Sequence, residues 1–193
     1  MVNVGFHYMS ERSWNELNHE RNKDRILRPR RRLVRFGITD PDIPKLDIPK
    51  LPDWAYDGYI FAFPDEEAPA PWKKYAHWEN EWDILTADIL TDDIGNKLLS
   101  VRFDVLPADE AYVVDRAHFA DLQWGHSGDR HEAIRRYAFS RVPASQYGGN
   151  YRMPELVIKN PIELERLAIN SRFERQIARD EGQWAVIYKS SPT

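Results

Sequence analysis

An α+β fold with a split, mostly antiparallel β core and flanking helices is what this sequence predicts, on three observations. The strand candidates around Phe6, Ile60, Val101 and Val157 are short, and irregular, Pro-rich connections separate them. Strands and helices mix without the βαβ alternation of a parallel sheet. Seven Trp, nine Tyr and eight Phe in 193 residues supply enough apolar surface for a core. The expectation is that these strands meet around one cleft. A chain of this length fits one domain of roughly 100–200 residues, and no boundary stands out within 1–193.

The elements follow in order. Asn3 to Met9 reads as a strand containing Val4, Phe6 and Tyr8. Ser10 is a helix N-cap candidate and Ser13 a second, ahead of a helix carrying Trp14 and Leu17. Pro29 interrupts the basic stretch that follows. Between Asp40 and Pro52, Pro41, Pro44, Pro49 and Pro52 forbid regular structure and make a stiff connection. The near repeat IPKLDIPKLP is too short for a solenoid. After Asp57-Gly58, the apolar run Tyr59 to Phe63 reads as a buried strand that Pro64 ends. A Trp-rich segment spans Trp72 to Trp82. Leu98 to Val105 alternates as a strand, and Tyr112 to Val114 is another. Phe119 to Trp124 suits a short helix or turn, and Glu132 to Phe139 has helical composition. Gly148-Gly149-Asn150 marks a turn before a strand at Glu155 to Ile158. Pro161 opens a helix through Leu167, and Trp184 to Tyr188 closes the chain as a strand.

Composition removes several classes. Hydrophobic residues at 42% and charged residues at 30% are ordinary globular usage, despite a mean hydropathy of -0.66. The absence of cysteine excludes disulfides, thiolate catalysis and Cys-based zinc sites. No run approaches the ~18 apolar residues of a membrane span, and no secretory signal is visible. The expectation is a soluble, cytoplasmic protein with no membrane partner, export as an effector being left open. The net charge of -4 is segregated. Arg21 to Arg35 holds eight basic residues and one acidic, whereas Asp40 to Glu110 holds 17 acidic and six basic. Such a basic block suits phosphates of nucleic acid or of a dinucleotide, or else a solvated face paired with the acidic middle.

Several signatures are missing. There is neither a G-x-G-x-x-G nor a G-x-x-x-x-G-K-[ST] phosphate loop. His131-Glu132 opens like H-E-x-x-H, but Arg135 stands at the second ligand position. His118, His126 and His131 lie among Asp115, Asp121 and Asp129 at spacings that fit no familiar metal site, so no metal is expected. Gly125 to Asp129 echoes a nucleophile elbow, with Asp129 where Gly belongs.

Three segments carry more. His7 sits in Phe6-His7-Tyr8-Met9-Ser10, running from a strand into a helix; Tyr59 opens the apolar strand; Glu155 opens a late strand in Tyr151 to Ile158. Singly, His7 suits a core or turn histidine, Tyr59 plain core, and Glu155 an edge-strand charge. Together with Ile26-Leu27-Arg28-Pro29-Arg30 and the Leu98–Val105 and Ala111–Asp115 stretches, they resemble the ADP-ribosyltransferase superfamily. The similarity is to its His-Tyr-Glu branch, in particular to DNA-targeting ADP-ribosyltransferase toxins and, distantly, to RNA 2′-phosphotransferases. The resemblance runs in order along most of the chain. Relatives often have His-x-Thr where this chain has Met9 followed by Ser10. Met153 stands two residues before Glu155, so the Glu-x-Glu pattern linked to arginine modification is absent.

The resemblance implies an ADP-ribosyltransferase-like fold and a toxin or effector using NAD as cosubstrate without metal. Cleaving the nicotinamide–ribose bond develops oxocarbenium character that a carboxylate can stabilise, and Glu155 is the candidate. Arg30 is the choice for the diphosphate fork, although Arg28, Arg31 and Arg32 compete for it. His7, Tyr8, Ser10, Arg28, Tyr59 and Phe61 are cofactor-binding candidates, with Tyr59 or Tyr8 stacking on nicotinamide and His7 holding ribose. Tyr147, Tyr151 and Arg152 flank the glycine pair on a loop expected to be mobile and to contact the acceptor. That acceptor is a macromolecule, nucleic acid ahead of protein. The rival expectation is a non-catalytic module binding nucleic acid or protein through the Arg21–Arg35 block.

Overall fold

The computed structural model describes residues 1–29, 51–52, 58–64, 72–73, 75–77, 79, 82, 97–123, 129–180 and 183–188. The strands are β1 (Val4–Ser10), β2 (Ile26–Leu27), β3 (Ile60–Ala62), β4 (Lys97–Asp104), β5 (Ala111–Asp115), β6 (Val142–Pro143), β7 (Pro154–Ile158), β8 (Ile162–Glu163), β9 (Ala168–Asp180) and β10 (Gln183–Tyr188). The helices are α1 (Glu11–Asn18), α2 (Ala117–Gln123) and α3 (Arg130–Phe139). A first sheet has the order β1-β4-β9-β10 and a second β3-β7-β5-β6, with β2 and β8 paired separately. The pairs that build these sheets are antiparallel. No helix among the described residues is long and apolar enough to cross a membrane.

Side-chain alternation explains the layering. Met9, Val101 and Phe103 from the first sheet meet Ile60, Ala62, Val113, Leu156 and Ile158 from the second in one core cluster. The opposite face of the second sheet sends Tyr59, Val114 and Val157 against Phe119 of α2 and Ile134, Tyr137 and Ala138 of α3. Strand β7 is covered on both faces, and all five of its residues are buried. That double burial is why Leu156 to Ile158 reads as an unbroken apolar run rather than an alternating one. The two sheets are joined directly where Phe6 and Phe63 exchange backbone hydrogen bonds of 3.0 and 2.8 Å.

Gly5 is a position where only glycine fits. A Cβ built there would lie 2.3 and 2.6 Å from ring atoms of Phe103, its register partner, and 2.9 Å from Leu156. The missing side chain lets the Phe103 ring settle between the sheets.

One expectation changes. Pro161 to Leu167 is not a helix: Ile162 and Glu163 pair with Leu27 and Ile26, and a single 3-10 turn follows at Leu164–Arg166. Its apolar residues Ile162, Leu164 and Leu167 join the central core from this extended path. The long strand β9, unforeseen in the sequence, pairs with both β4 and β10. The Pro-rich connection lies outside the described residues apart from Leu51 and Pro52.

Candidate active site

Ser10 ends β1 and caps α1. Its hydroxyl accepts the Ser13 N–H at 3.1 Å and donates to the Ser13 hydroxyl at 3.0 Å. The capping role is thus filled by Ser10, and Ser13 is its partner within the helix. Three residues earlier, His7 Nδ1 lies 2.6 Å from the Phe61 carbonyl oxygen. A carbonyl only accepts, so Nδ1 carries the proton, and in the neutral ring Nε2 is then an acceptor.

Strand β3 pairs with β7 through Ile60–Ile158, Phe61–Val157 and Ala62–Leu156. Continuing that register by one residue sets Phe63 level with Glu155. On its other side Phe63 bridges Phe6, and Glu155 in turn pairs with Val114. The His7 strand, the Tyr59–Phe61 strand and the Glu155 strand are therefore neighbours in that order. The Phe6 and Glu155 backbones lie about two strand spacings apart, roughly 10 Å.

Glu155 is not an edge-strand charge. Its strand is central, between β3 and β5, and the residue is 2% exposed. It shares the helix-covered face with Val157, two residues on, and accepts a hydrogen bond at Oε2 from the Tyr137 hydroxyl of α3 at 2.9 Å. Tyr59 is buried on the same face and Phe61 packs partly buried beside it. The start of β7 is pinned by Asp115. One carboxylate oxygen accepts the N–H groups of Ala117 and Met153, both at 3.1 Å. This ties the first turn of α2 to the residues immediately before Glu155.

Tyr8 lies deep in an aromatic cluster, edge-on to Phe63 and Trp82 with centroids 5.4 and 5.0 Å away. Its ring is thereby packed on protein rather than presented for stacking on nicotinamide. Trp72 completes the cluster against Phe63 and sends its indole N–H to the Pro154 carbonyl at 3.1 Å. The buried Arg116 guanidinium stands 5.6 Å over the Trp72 ring.

Tyr147 and Tyr151 are tied down. Their rings pack at 5.1 Å, the Tyr151 N–H donates to the Tyr147 hydroxyl at 3.2 Å, and the Tyr151 hydroxyl donates to the Ser140 carbonyl. Burial pushes both phenol pKa values up. The turn itself needs Gly149, whose φ is +79°. These bonds anchor both tyrosines of the loop that the sequence expects to be mobile. Arg152 is exposed, but its guanidinium forks onto Asp121 of α2 at 3.1 and 2.6 Å. Burial works against ionising Asp121, yet the hydrogen bonds and charge of Arg152 outweigh it and hold that carboxyl below its ordinary value.

In the basic block, Arg28 is exposed and ion-paired with Asp24, which is the pairing of a solvated surface. Arg30, Arg31 and Arg32 lie outside the described residues. Glu132, the acid of the broken H-E-x-x-H, is bonded by Arg135 and Arg136, which lower its pKa to about 2. Among the described residues, no group of three His, Asp or Glu side chains is placed to hold a metal ion.

Sequence reasoning missed Tyr137, Asp115 and Trp72. Tyr137 carried a usable signal: Ala133, Ile134, Tyr137 and Ala138 form one buried helical face, and a buried tyrosine hydroxyl needs a partner. Comparison with protein-family models, with curated proteins and with solved structures finds no match for this chain.

Proposed function

We propose that this chain is an NAD-dependent ADP-ribosyltransferase that acts on a macromolecular acceptor, nucleic acid ahead of protein, as a toxin or effector. One observation carries the reading: the strands bearing His7, Tyr59 to Phe61 and Glu155 lie side by side, joined by the Phe6–Phe63 bridge and the β3–β7 ladder. Three segments far apart in sequence, picked out for one reaction, meet at one place in an antiparallel α+β architecture with few helices.

In that reaction the bond between nicotinamide and ribose C1′ breaks, and nicotinamide leaves with the bonding pair as a neutral base. An acceptor atom bonds to C1′ and gives up its proton, which passes to water. Glu155 supplies the negative charge that favours the oxocarbenium-like transition state. His7, anchored through Nδ1–H on the Phe61 carbonyl, is the residue assigned to the ribose. Phe61, partly buried, supplies aromatic surface, whereas Tyr59 is packed into the helix-covered core, as Tyr8 is into its own cluster, and neither ring is presented for stacking on nicotinamide.

A second reading is favoured by the burial of Glu155 under Tyr137, which also suits a structural carboxylate in a non-catalytic binding module. Incubation of the protein with labelled NAD, nucleic acid and protein fractions separates the two. Transfer reads out as free nicotinamide and labelled acceptor, both lost in Glu155→Gln. Neither product from wild-type protein would leave the binding module.

A further inference from the structure

Glu155 and Tyr137 belong to a closed circuit of contacts. The Tyr137 hydroxyl donates to Glu155 Oε2 at 2.9 Å, and both residues are almost wholly buried. Glu155 pairs across the ladder with Val114. The next residue, Asp115, donates its N–H to the Ser140 hydroxyl at 2.8 Å, and that hydroxyl donates to the Tyr137 carbonyl at 2.7 Å. The Tyr137 ring is also fixed against Phe119 of α2, with centroids 4.5 Å apart. The tyrosine is thus held at its ring by α2 and at its backbone through Ser140, which is itself bonded to β5. A glutamate side chain has three rotatable bonds, and a rigid donor on one oxygen fixes the direction of the other.

We propose that Tyr137 is a positioning residue that orients the Glu155 carboxylate for the transfer step. This rests on the reading of Glu155 as the catalytic carboxylate. A reacting charge must be held in one direction to gain from preorganisation, and a misplacement of about 1 Å costs roughly 10²-fold in rate. A tyrosine that merely fills the core gives no such dependence.

The test uses the full chain and four proteins: wild type, Tyr137→Phe, Glu155→Gln and the double variant, with kcat and KM for NAD read from nicotinamide release and folding checked by thermal melts. Tyr137→Phe keeps the ring against Phe119 and removes only the hydroxyl. The expected result is a kcat reduced roughly 10- to 100-fold with KM within about two-fold. In the Glu155→Gln background the same change has no further effect, because the group it orients is already gone. If Tyr137→Phe fails to fold, Ser140→Ala loosens the Tyr137 carbonyl without touching either side chain, and kcat should again fall only when Glu155 is intact. Full kcat in folded Tyr137→Phe, with wild-type activity dependent on Glu155, overturns the positioning role and leaves the catalytic reading standing. An equal loss in both backgrounds also overturns it. No nicotinamide release by wild type, or full activity in Glu155→Gln, overturns the catalytic reading and the positioning role together.

Discussion

The His7 ring donates from Nδ1 to the Phe61 carbonyl oxygen across 2.6 Å, linking the first strand to β3 by a side chain as well as by backbone. The bond selects the Nδ1–H tautomer of the neutral ring. His7→Ala should raise the KM for NAD more than it lowers kcat, since the role assigned to His7 is binding. Loss of one half-buried hydrogen bond should cost about 1 kcal/mol in a denaturant melt. A pure kcat effect would move His7 from binding to chemistry.

Glu155→Gln keeps an acceptor oxygen for Tyr137 and nearly the same volume. Expected are a folded protein destabilised by about 1–2 kcal/mol and transfer slowed by about 10²–10³. Glu155→Leu, which removes the acceptor of the 2.9 Å bond from the buried Tyr137 hydroxyl, should cost more, about 2–3 kcal/mol. Paired melts and nicotinamide-release rates check both. Wild-type transfer from folded Glu155→Gln removes the residue from the mechanism.

The acid response should be traceable to α2. Burial lowers the His118 pKa from its ordinary 6.5; Asp115 and Asp121 pull it up, while Arg152 and Arg136 push it down further, and the net is a lowered value. Folded His118 thus binds its proton less readily than unfolded His118. The unfolded state takes up protons first, so stability falls as the pH drops below 6.5 toward the folded value. Asp121, also lowered, adds a second loss beginning near its ordinary 3.8. His118→Gln should therefore lose less melting temperature than wild type between pH 7.5 and about 5. Parallel melting curves would assign that acid sensitivity to other groups.

Gly5→Ala should be among the most damaging single-methyl changes. The added carbon meets the ring of Phe103, itself buried between the sheets, so the ring cannot swing into solvent. Overpacking of this kind costs about 1–3 kcal/mol. Gly5→Ala combined with Phe103→Leu should recover part of the loss, and no recovery would place the strain elsewhere.

Strands with strong local character were readable from the sequence. Val4 to Ser10, Lys97 to Asp104, Ala111 to Asp115 and Pro154 to Ile158 all appear within a residue or two of where alternation or apolar runs place them. The Ser10 cap was equally local. Strand β9 was not legible, because Ala168 to Asp180 is a largely polar sequence without clean alternation, and its pairing with β4 and β10 is what makes it a strand. Ile162-Glu163 was misread because Pro161 signals a helix start, whereas pairing with Ile26-Leu27 decides the outcome. The strands that carry His7, Phe61 and Glu155 could each be located from their own apolar runs. What covers Glu155 could not, since the Tyr137 contact joins two elements whose packing no local pattern encodes.

The central place of β7 also constrains how the chain is made. Synthesis delivers β3 and β5 before β7, which must then slide between them and hydrogen-bond to both. Until it arrives, each presents an unpaired edge to solvent or to a chaperone. β1 likewise waits for β4. With ribosomes adding roughly 5–20 residues per second, the nascent chain spends seconds with its sheets unfinished. A ribosome stalled just ahead of Pro154 should therefore hold a chain far more sensitive to added protease than one stalled beyond Tyr188.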